Sequence, residues 1–471
     1  MSERWIPLPL DKTIFANLDE DAVVGFNTAI ENGFKNELGG HTRFNGLIER
    51  VDLGLALPVY LYDFNGDLIA CCEGKVFRVD QSYTATDVTA TPVAGGRRVI
   101  FAKTGTDLLM AAGAEIVRLR GATTEILSAN APLSSHVAWV QGYTLAVEID
   151  SQRFFHSGAG TPDQWDPLDT FAADVVPDNV TSLLVTPFGD VMLGGEGSIE
   201  QFERVDGGDA PFARRWAVAS GVKLPYVLSF ADNAMWWINS ANELVFAPGQ
   251  IYTRASDDIG RFLEKIDDWS DAWIGGYPDR PLNIQGQKFI LIQAPNATNE
   301  YGTRGVTLLY DRRQKGFSSL YGWDSDLGIP TRWPGWSHWR LWDKTFVGGN
   351  GRIYELSDET HLNGAALQRW LVRTSHMSAG SGSIINDFRL QVKRGIGGNT
   401  SAPTIRVRCS RDGKPFGSWI RRTLGKAGER LQMIEFGSFG SGQTFRWEIA
   451  CTDDCMVDLI GAGIKSIPLG H

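Results

Sequence analysis

Hydrophobic and polar positions along this chain fall into short alternating runs broken by glycine, asparagine and aspartate, and one such unit organises the rest. Residues Gly189 to Arg204 read Gly-Asp-Val-Met-Leu-Gly-Gly-Glu-Gly-Ser-Ile-Glu-Gln-Phe-Glu-Arg. An apolar run, Val191 to Leu193, meets a glycine-rich turn, Gly194 to Gly197, where positive φ is expected. An alternating return from Ile199 to Arg204 follows, so the stretch predicts a β-hairpin. The unit recurs from starts at Gly66, Thr106, Tyr143, Asn233, Lys288 and Lys344. These starts are spaced close to the roughly 40–50 residues of a four-stranded propeller blade. The pattern therefore predicts a mainly β protein whose body, 61–360, is a β-propeller of six or seven blades. A double-sheet β protein with regular hairpins is the other architecture the pattern admits.

Two of the longer steps hold insertions. In the first, Ile259, Phe262, Leu263 and Ile266 follow helical spacing, and Trp269 and Trp273 continue the stripe. Ser256 is the candidate N-cap, with Asp257 and Asp258 complementing the first turn. Glu264, Asp267 and Asp268 face away, so this one inserted helix either plugs the ring edge or offers a partner an acidic face. The second insertion, Ala294 to Thr303, is Asn-rich and reads as a loop. Trp323, Trp333, Trp336, Trp339 and Trp342 then cluster. Such a cluster is core between sheets, or else a carbohydrate platform or interface.

The ends differ from the body. Residues 1–60 lead into the propeller without repeating; Asn17 to Asn32 has a moderately helical composition, and Arg43-Phe-Asn-Gly-Leu47 reads as a turn. After Leu356 the repeat fades, and Ser375 to Ser383 is small and polar, like a loop. Short alternating runs then predict a C-terminal β-sandwich over 361–471, its first strand near Leu367 to Arg373.

Composition narrows the function. Net charge is −10, whereas a protein that grips duplex phosphates carries a basic balance. The 53 glycines, 16 tryptophans and 24 phenylalanines fit an all-β chain. Five cysteines, Cys71, Cys72, Cys409, Cys451 and Cys455, lack paired zinc spacing and read as buried thiols of a chain made in a reducing cytoplasm. No run approaches the roughly 20 apolar residues of a membrane helix, and the first residues do not read as a secretory signal. A soluble chain without membrane anchoring is expected. No phosphate loop, nucleophile elbow or His-Glu-x-x-His pattern occurs, so no catalytic, cofactor or metal residue is nominated. One motif, Ser410-Arg-Asp-Gly-Lys-Pro-Phe416, resembles the Asp-box turn of sialidases. Asp412 would cap that turn and Gly413 would take positive φ. Lys414 stands where the box has glycine, and Phe416 arrives one place early.

The same region carries a broader resemblance. Ser410, Asp412, Gly413, Trp419, Gly425, Glu429 and Gly461 fall within an ordered series that runs from Ser410-x-Asp-Gly through Leu424-Gly-Lys-Ala-Gly-Glu429 and Phe445-Arg-Trp-Glu448 to Ile460-Gly-Ala462. The series resembles the C-terminal signature of the packaged-DNA stabilisation proteins, the tail nozzles of short-tailed bacteriophages. Ala255 to Ile259, Leu309-Tyr-Asp311 and the Arg43 to Leu47 turn resemble segments placed similarly in that family, with Asn45 in a proline position. Cys455 stands where an Asp-Pro turn is usual. The resemblance implies a non-enzymatic virion protein, synthesised in the host cytoplasm, of which about six copies form a ring. That ring would sit below portal and adaptor proteins, near tail needle or tailspike proteins. It would close the head and pass duplex DNA through without sequence-specific binding. A lumen in which Asp and Glu outnumber Lys and Arg is expected on that account, because each phosphate contact adds friction. Arg97-Arg98, Arg214-Arg215, Arg312-Arg313 and Arg421-Arg422 would serve interfaces or acidic neighbours. The alternative is a propeller that binds or hydrolyses host surface sugars.

Overall fold

Every one of the seven units is the middle hairpin of a propeller sector. The unit at Gly66, for example, is Asp67–Cys72 with Lys75–Val79, flanked by Tyr60–Phe64 inside and Ala85–Asp87 outside. The computed structural model describes residues 5–8, 10, 29–36, 39–206, 210–275, 282–284, 287–394, 398–426 and 431–469. Among them, five blades of four antiparallel strands occupy 60–87, 100–126, 134–172, 180–218 and 228–254. A sixth four-stranded blade closes the ring. Its inner three strands are Ser337–Leu341, Lys344–Gly348 and Arg352–Ser357, and its outer strand is Gly46–Asp52. Between it and the fifth blade, Trp273–Ile274, Gln287–Thr298, Arg304–Asp311 and Gly316–Ser319 form a further sector that belongs to a larger sheet.

Turn chemistry explains why the units were visible. The two central residues of four inner hairpins lie at positive φ: Asn65 and Gly66, Gln141 and Gly142, Asp232 and Asn233, Trp342 and Asp343. That backbone matches the strand twist and favours Gly, Asn and Asp. The turn at 194–197 departs from the expectation. Its glycines are not in the positive-φ region; Gly189 is, at 89°. What requires glycine there is close packing, since a Cβ on Gly194 would lie 2.6 Å from Val222 and one on Gly195 2.6 Å from Asp178.

The insertion is smaller than the hydrophobic stripe implied. A 3-10 turn, Asp257–Ile259, runs into a short helix, Gly260–Glu264. Ser256 does not cap it; its hydroxyl instead accepts the Leu244 amide. The apolar stripe is nonetheless buried, with Ile259, Leu263, Ile266 and Trp269 packed among fifth-blade residues. Trp273 begins the next strand. The Asn-rich insertion also differs, because strand runs to Thr298 and resumes at Arg304. The helical composition of 17–32 lies mostly outside the described residues, and its described end, Ala29–Glu31, is strand.

The chain's two ends meet in a 16-stranded sheet. Ala29–Glu31 pairs in parallel with Gly316–Ser319 through Glu31 and Ser319, and antiparallel with Trp370–Arg373. His41–Arg43 pairs with Asp458–Pro468, as does Ile6–Pro7. Residues before 61 thus supply both the ring-closing strand and several strands shared with the C-terminal unit. That unit folds over one core containing Trp370, Phe388, Leu390, Phe445, Trp447 and Ile449. The stretch expected as a loop, 375–383, is largely the start of its longest strand, Met377–Lys393.

Buried charge crosses this seam. The Arg369 guanidinium lies 2.6 Å from Glu31 and also donates to the Tyr301 hydroxyl, which donates to Glu31 in turn. Within the C-terminal unit, Arg373 and Arg408 both meet Glu448, at 2.7 and 2.5 Å. Glu31 and Glu448 are fully buried, so these hydrogen-bonded pairings offset a desolvation cost that neither carboxylate could sustain alone.

Candidate functional site

Sequence reasoning nominated two groups of residues, and the structure puts them in different places. Asp257, Asp258, Glu264, Asp267 and Asp268 are all exposed around the short helix. Several have local work. Asp257 pairs with Arg254 at 3.1 Å, Asp267 accepts the Thr298 amide, and Asp268 accepts the Ser270 amide. The acidic face exists, but it is organised by its own turns.

The C-terminal group lies along one β domain. Ser410 is buried and its hydroxyl donates to the Lys414 carbonyl. Asp412 and Gly413 form a tight turn at φ 50° and 67°, closed by the Lys414 amide on the Arg411 carbonyl. Asp412 accepts the amides of Gln443 and Thr444, which holds its carboxyl below the usual range and fastens the turn to the next strand. Trp419 is half-buried under the Arg408 guanidinium, 4.4 Å from its ring centre. Gly425 takes positive φ and its carbonyl accepts Arg394. Gly461 pairs with Gln391 inside the sheet. Glu429 lies outside the described residues. These are turn and ladder positions, and none meets the acidic helix face in the contacts described.

The tryptophan cluster divides. Trp333 and Trp339 are core, whereas Trp323, Trp336 and Trp342 are half-buried. Of the arginine pairs, Arg214 meets Asp174 and Glu200, Arg215 meets Glu203, and Arg312 meets Asp232.

A third feature was not anticipated. The innermost strands of all seven sectors enclose a cavity of about 550 Å³ on the propeller axis. Tyr62 stacks on Trp339 at 4.5 Å and on Phe101 at 5.4 Å, giving it an aromatic wall. The buried Arg98 guanidinium sits between the Tyr60 and Trp273 rings, at 5.0 and 4.4 Å, and donates to the Trp336 carbonyl at 2.7 Å. His136 stacks on Tyr226, and burial lowers its pKa to about 4, so the ring is neutral at pH 7. Asp63 is the one carboxylate among the described lining residues, 3.5 Å from Lys103. Hydrolysis of a glycosidic bond by the usual route needs two carboxylates about 5–9.5 Å apart, and this lining does not provide that pair. The signal that would have found the cavity was the first strand of each unit, whose inward positions carry Tyr62, Phe101, Trp139 and Trp339. The recurring hairpins are instead the second and third strands of each sector.

Taken together, these features define a β-propeller protein with, among the described residues, one short helix and an appended β domain. No family model matches the chain, and no curated protein matches it either. Solved propellers do. A virginiamycin B lyase from Staphylococcus aureus is 9% identical, with a TM-score of 0.41, covering 64% of this chain and 94% of the lyase. BamB from Moraxella catarrhalis is 10% identical at a TM-score of 0.39, covering 67% and 99%. An exo-β-1,3-galactanase from Phanerochaete chrysosporium is 8% identical at 0.29, covering 90% and 100%. At these values no feature of function transfers from any of them.

Proposed function

We propose that this chain is a structural, non-enzymatic subunit of the tail nozzle of a short-tailed phage. It would assemble as a ring of about six copies below the adaptor and help retain packaged DNA. The observation that carries this reading is the ordered C-terminal series from Ser410 to Ala462. A second point supports it: the N-terminal stretch that shares the resemblance packs against the same domain, with Arg43 hydrogen-bonded to the carbonyls of Asp453 and Cys455. The test is DNA retention in filled heads lacking this protein, with and without adding it back. Leakage that stops, with a sixfold ring at the portal vertex, is the expected result. Unchanged leakage and no ring would overturn the reading.

The aromatic-walled axial cavity favours one other reading, a propeller that binds host surface sugars. Stacking of a sugar ring on the half-buried Trp139 would be its basis. Binding of soluble oligosaccharides, abolished by Trp139→Ala in a folded variant, would support it over the nozzle.

A further inference from the structure

Cys451 and Cys455 close the far end of the C-terminal core, and their sulfurs lie 3.7 Å apart. Cys451 ends the strand Gly440–Cys451; Cys455 follows on the short connection to Asp458–Pro468. Beside them lies the Arg43 guanidinium, fully buried. Its hydrogen bonds go to the carbonyls of Asp453, Cys455, His361 and Gln368, with the Gln368 side-chain oxygen at 3.3 Å. Among the described residues no carboxylate pairs with it, and Cys451 Sγ, at 3.9 Å, is the ionisable side chain to which it donates. A buried cation ringed by neutral acceptors favours an anion at the sulfur it touches.

We infer that Cys451 and Cys455 form a peroxide-oxidisable dithiol that closes to an intramolecular disulfide, with Cys451 as the attacking thiolate and Cys455 as the resolving thiol. The placement supplies each requirement. Two sulfurs already in contact need only approach to about 2.0 Å. Arg43 stabilises the thiolate form of one of them. Thr452, Asp453 and Met456, on the same connection, are half-buried, so a small local opening admits a peroxide. Titration behaviour agrees with the geometry. The hydrogen bond from Cys455 holds Cys451 down to about 7 against its burial, with Arg43 adding to the effect. The same hydrogen bond, and then burial, pushes Cys455 up. Elsewhere burial pushes Cys72 up to about 11 and Cys409 up to about 12, and Cys71 also rises.

The oxidant is hydrogen peroxide. The Cys451 thiolate attacks one peroxide oxygen, the O–O bond breaks, and hydroxide leaves, giving a sulfenic acid at Cys451. Hydroxide takes the Cys455 proton, forming water. The Cys455 thiolate then attacks Cys451 Sγ, the S–O bond breaks, and the second hydroxide takes up the proton that Cys451 first released. Two thiols and one peroxide become one disulfide and two waters. The disulfide would close the loop whose carbonyls hold Arg43, and so fix the N-terminal strand His41–Arg43 onto the C-terminal domain.

The inference stands whether or not the nozzle reading holds. The test treats the folded full-length chain with limiting hydrogen peroxide at neutral pH, alkylates remaining thiols and maps peptides by mass spectrometry. The expected result is a Cys451–Cys455 linked peptide that forms at least about tenfold faster than any oxidation at Cys409. Cys455→Ser should leave Cys451 as a sulfenic acid captured by dimedone, and Cys409→Ser should leave the linkage intact. If Cys455→Ser does not fold, the wild-type map still decides. Recovery of Cys451 and Cys455 as separate alkylated peptides, or earlier oxidation of Cys71, Cys72 or Cys409, overturns the inference.

Discussion

The propeller blades and the seam that joins the chain's ends are both β-sheet, yet they are built by opposite rules. In the first blade the strands pair in sequence order, so Leu61 meets Ala70 and Ala70 meets Phe77. In the seam Ile30 meets Val372, His41 meets Leu459, and Ile6 meets Ile464. A blade needs only local turns to set its register. A seam of three-residue strands has little register information of its own. There the specificity comes from buried polar groups: Arg43 on its carbonyls and Glu31 with Arg369. Local pattern builds the ring, and long-range polar pairing attaches the rest.

The sharpest way to break that comparison is Arg43→Met. Methionine fills much of the volume but leaves the buried carbonyls of Asp453, Cys455, His361 and Gln368 without that donor. Each orphaned acceptor costs about 1–3 kcal/mol, so a loss of about 4 kcal/mol or more is expected in denaturant titrations. Hydrogen exchange should localise it: amides at 41–43 and 449–459 lose protection, while those at 108–120 in the second blade keep theirs. Equal loss in both regions would mean that ring and seam unfold as one unit.

Acid should separate the two regions next. His41 and His361 are buried in the seam, and burial lowers both pKa values to about 4; Arg43 adds to the effect at His361. His136, in the third blade, is lowered likewise. A histidine whose folded pKa is depressed contributes stability above its ordinary value of about 6.5, and that contribution is lost as pH falls towards about 4. At pH 5 each of these histidines has forfeited about 2 kcal/mol, hence about 4 kcal/mol across the seam against about half that in the ring. Denaturant midpoints and exchange protection at pH 7.5 and pH 5 should show the seam weakening first. His361→Gln should remove about half of the seam's pH dependence. A ring that loosens before the seam would reverse the expectation.

The same contrast accounts for what the sequence revealed. Hairpin turns such as Asn65-Gly66 carry their conformation in residue type, so all seven units could be placed from the chain alone. The short helix was overread because Ile266, Trp269 and Trp273 continue its apolar stripe while leaving the helix. Seam strands as short as Ala29–Glu31 have no period to detect. Arg43 drew notice as part of a turn motif, but its burial depends on residues more than three hundred positions away. The axial cavity escaped because its lining is assembled from the first strand of each sector, short segments that lie far apart in sequence.

The smallest expected effect tests the ring side of the comparison. Gly66 sits at φ 87°, and a Cβ placed on it would meet no atom within 4 Å. Gly66→Ala therefore isolates the cost of a left-handed backbone for an L-residue, about 1–2 kcal/mol, from any steric clash. If blades are locally specified, lost protection should stay within the hairpin of Tyr60–Phe64 and Asp67–Cys72, and the seam should be unchanged. Gly351→Ala is the matched control. It lies in the hairpin of the ring-closing blade, and its Cβ would fall 1.6 Å from the Leu55 carbonyl oxygen. That substitution must push apart the segment leading from the closing strand into the first blade, so its loss should be larger and spread to both. Were the two variants to cost the same, local turn strain alone would govern the ring, and closure by the N-terminal strand would contribute little to its stability.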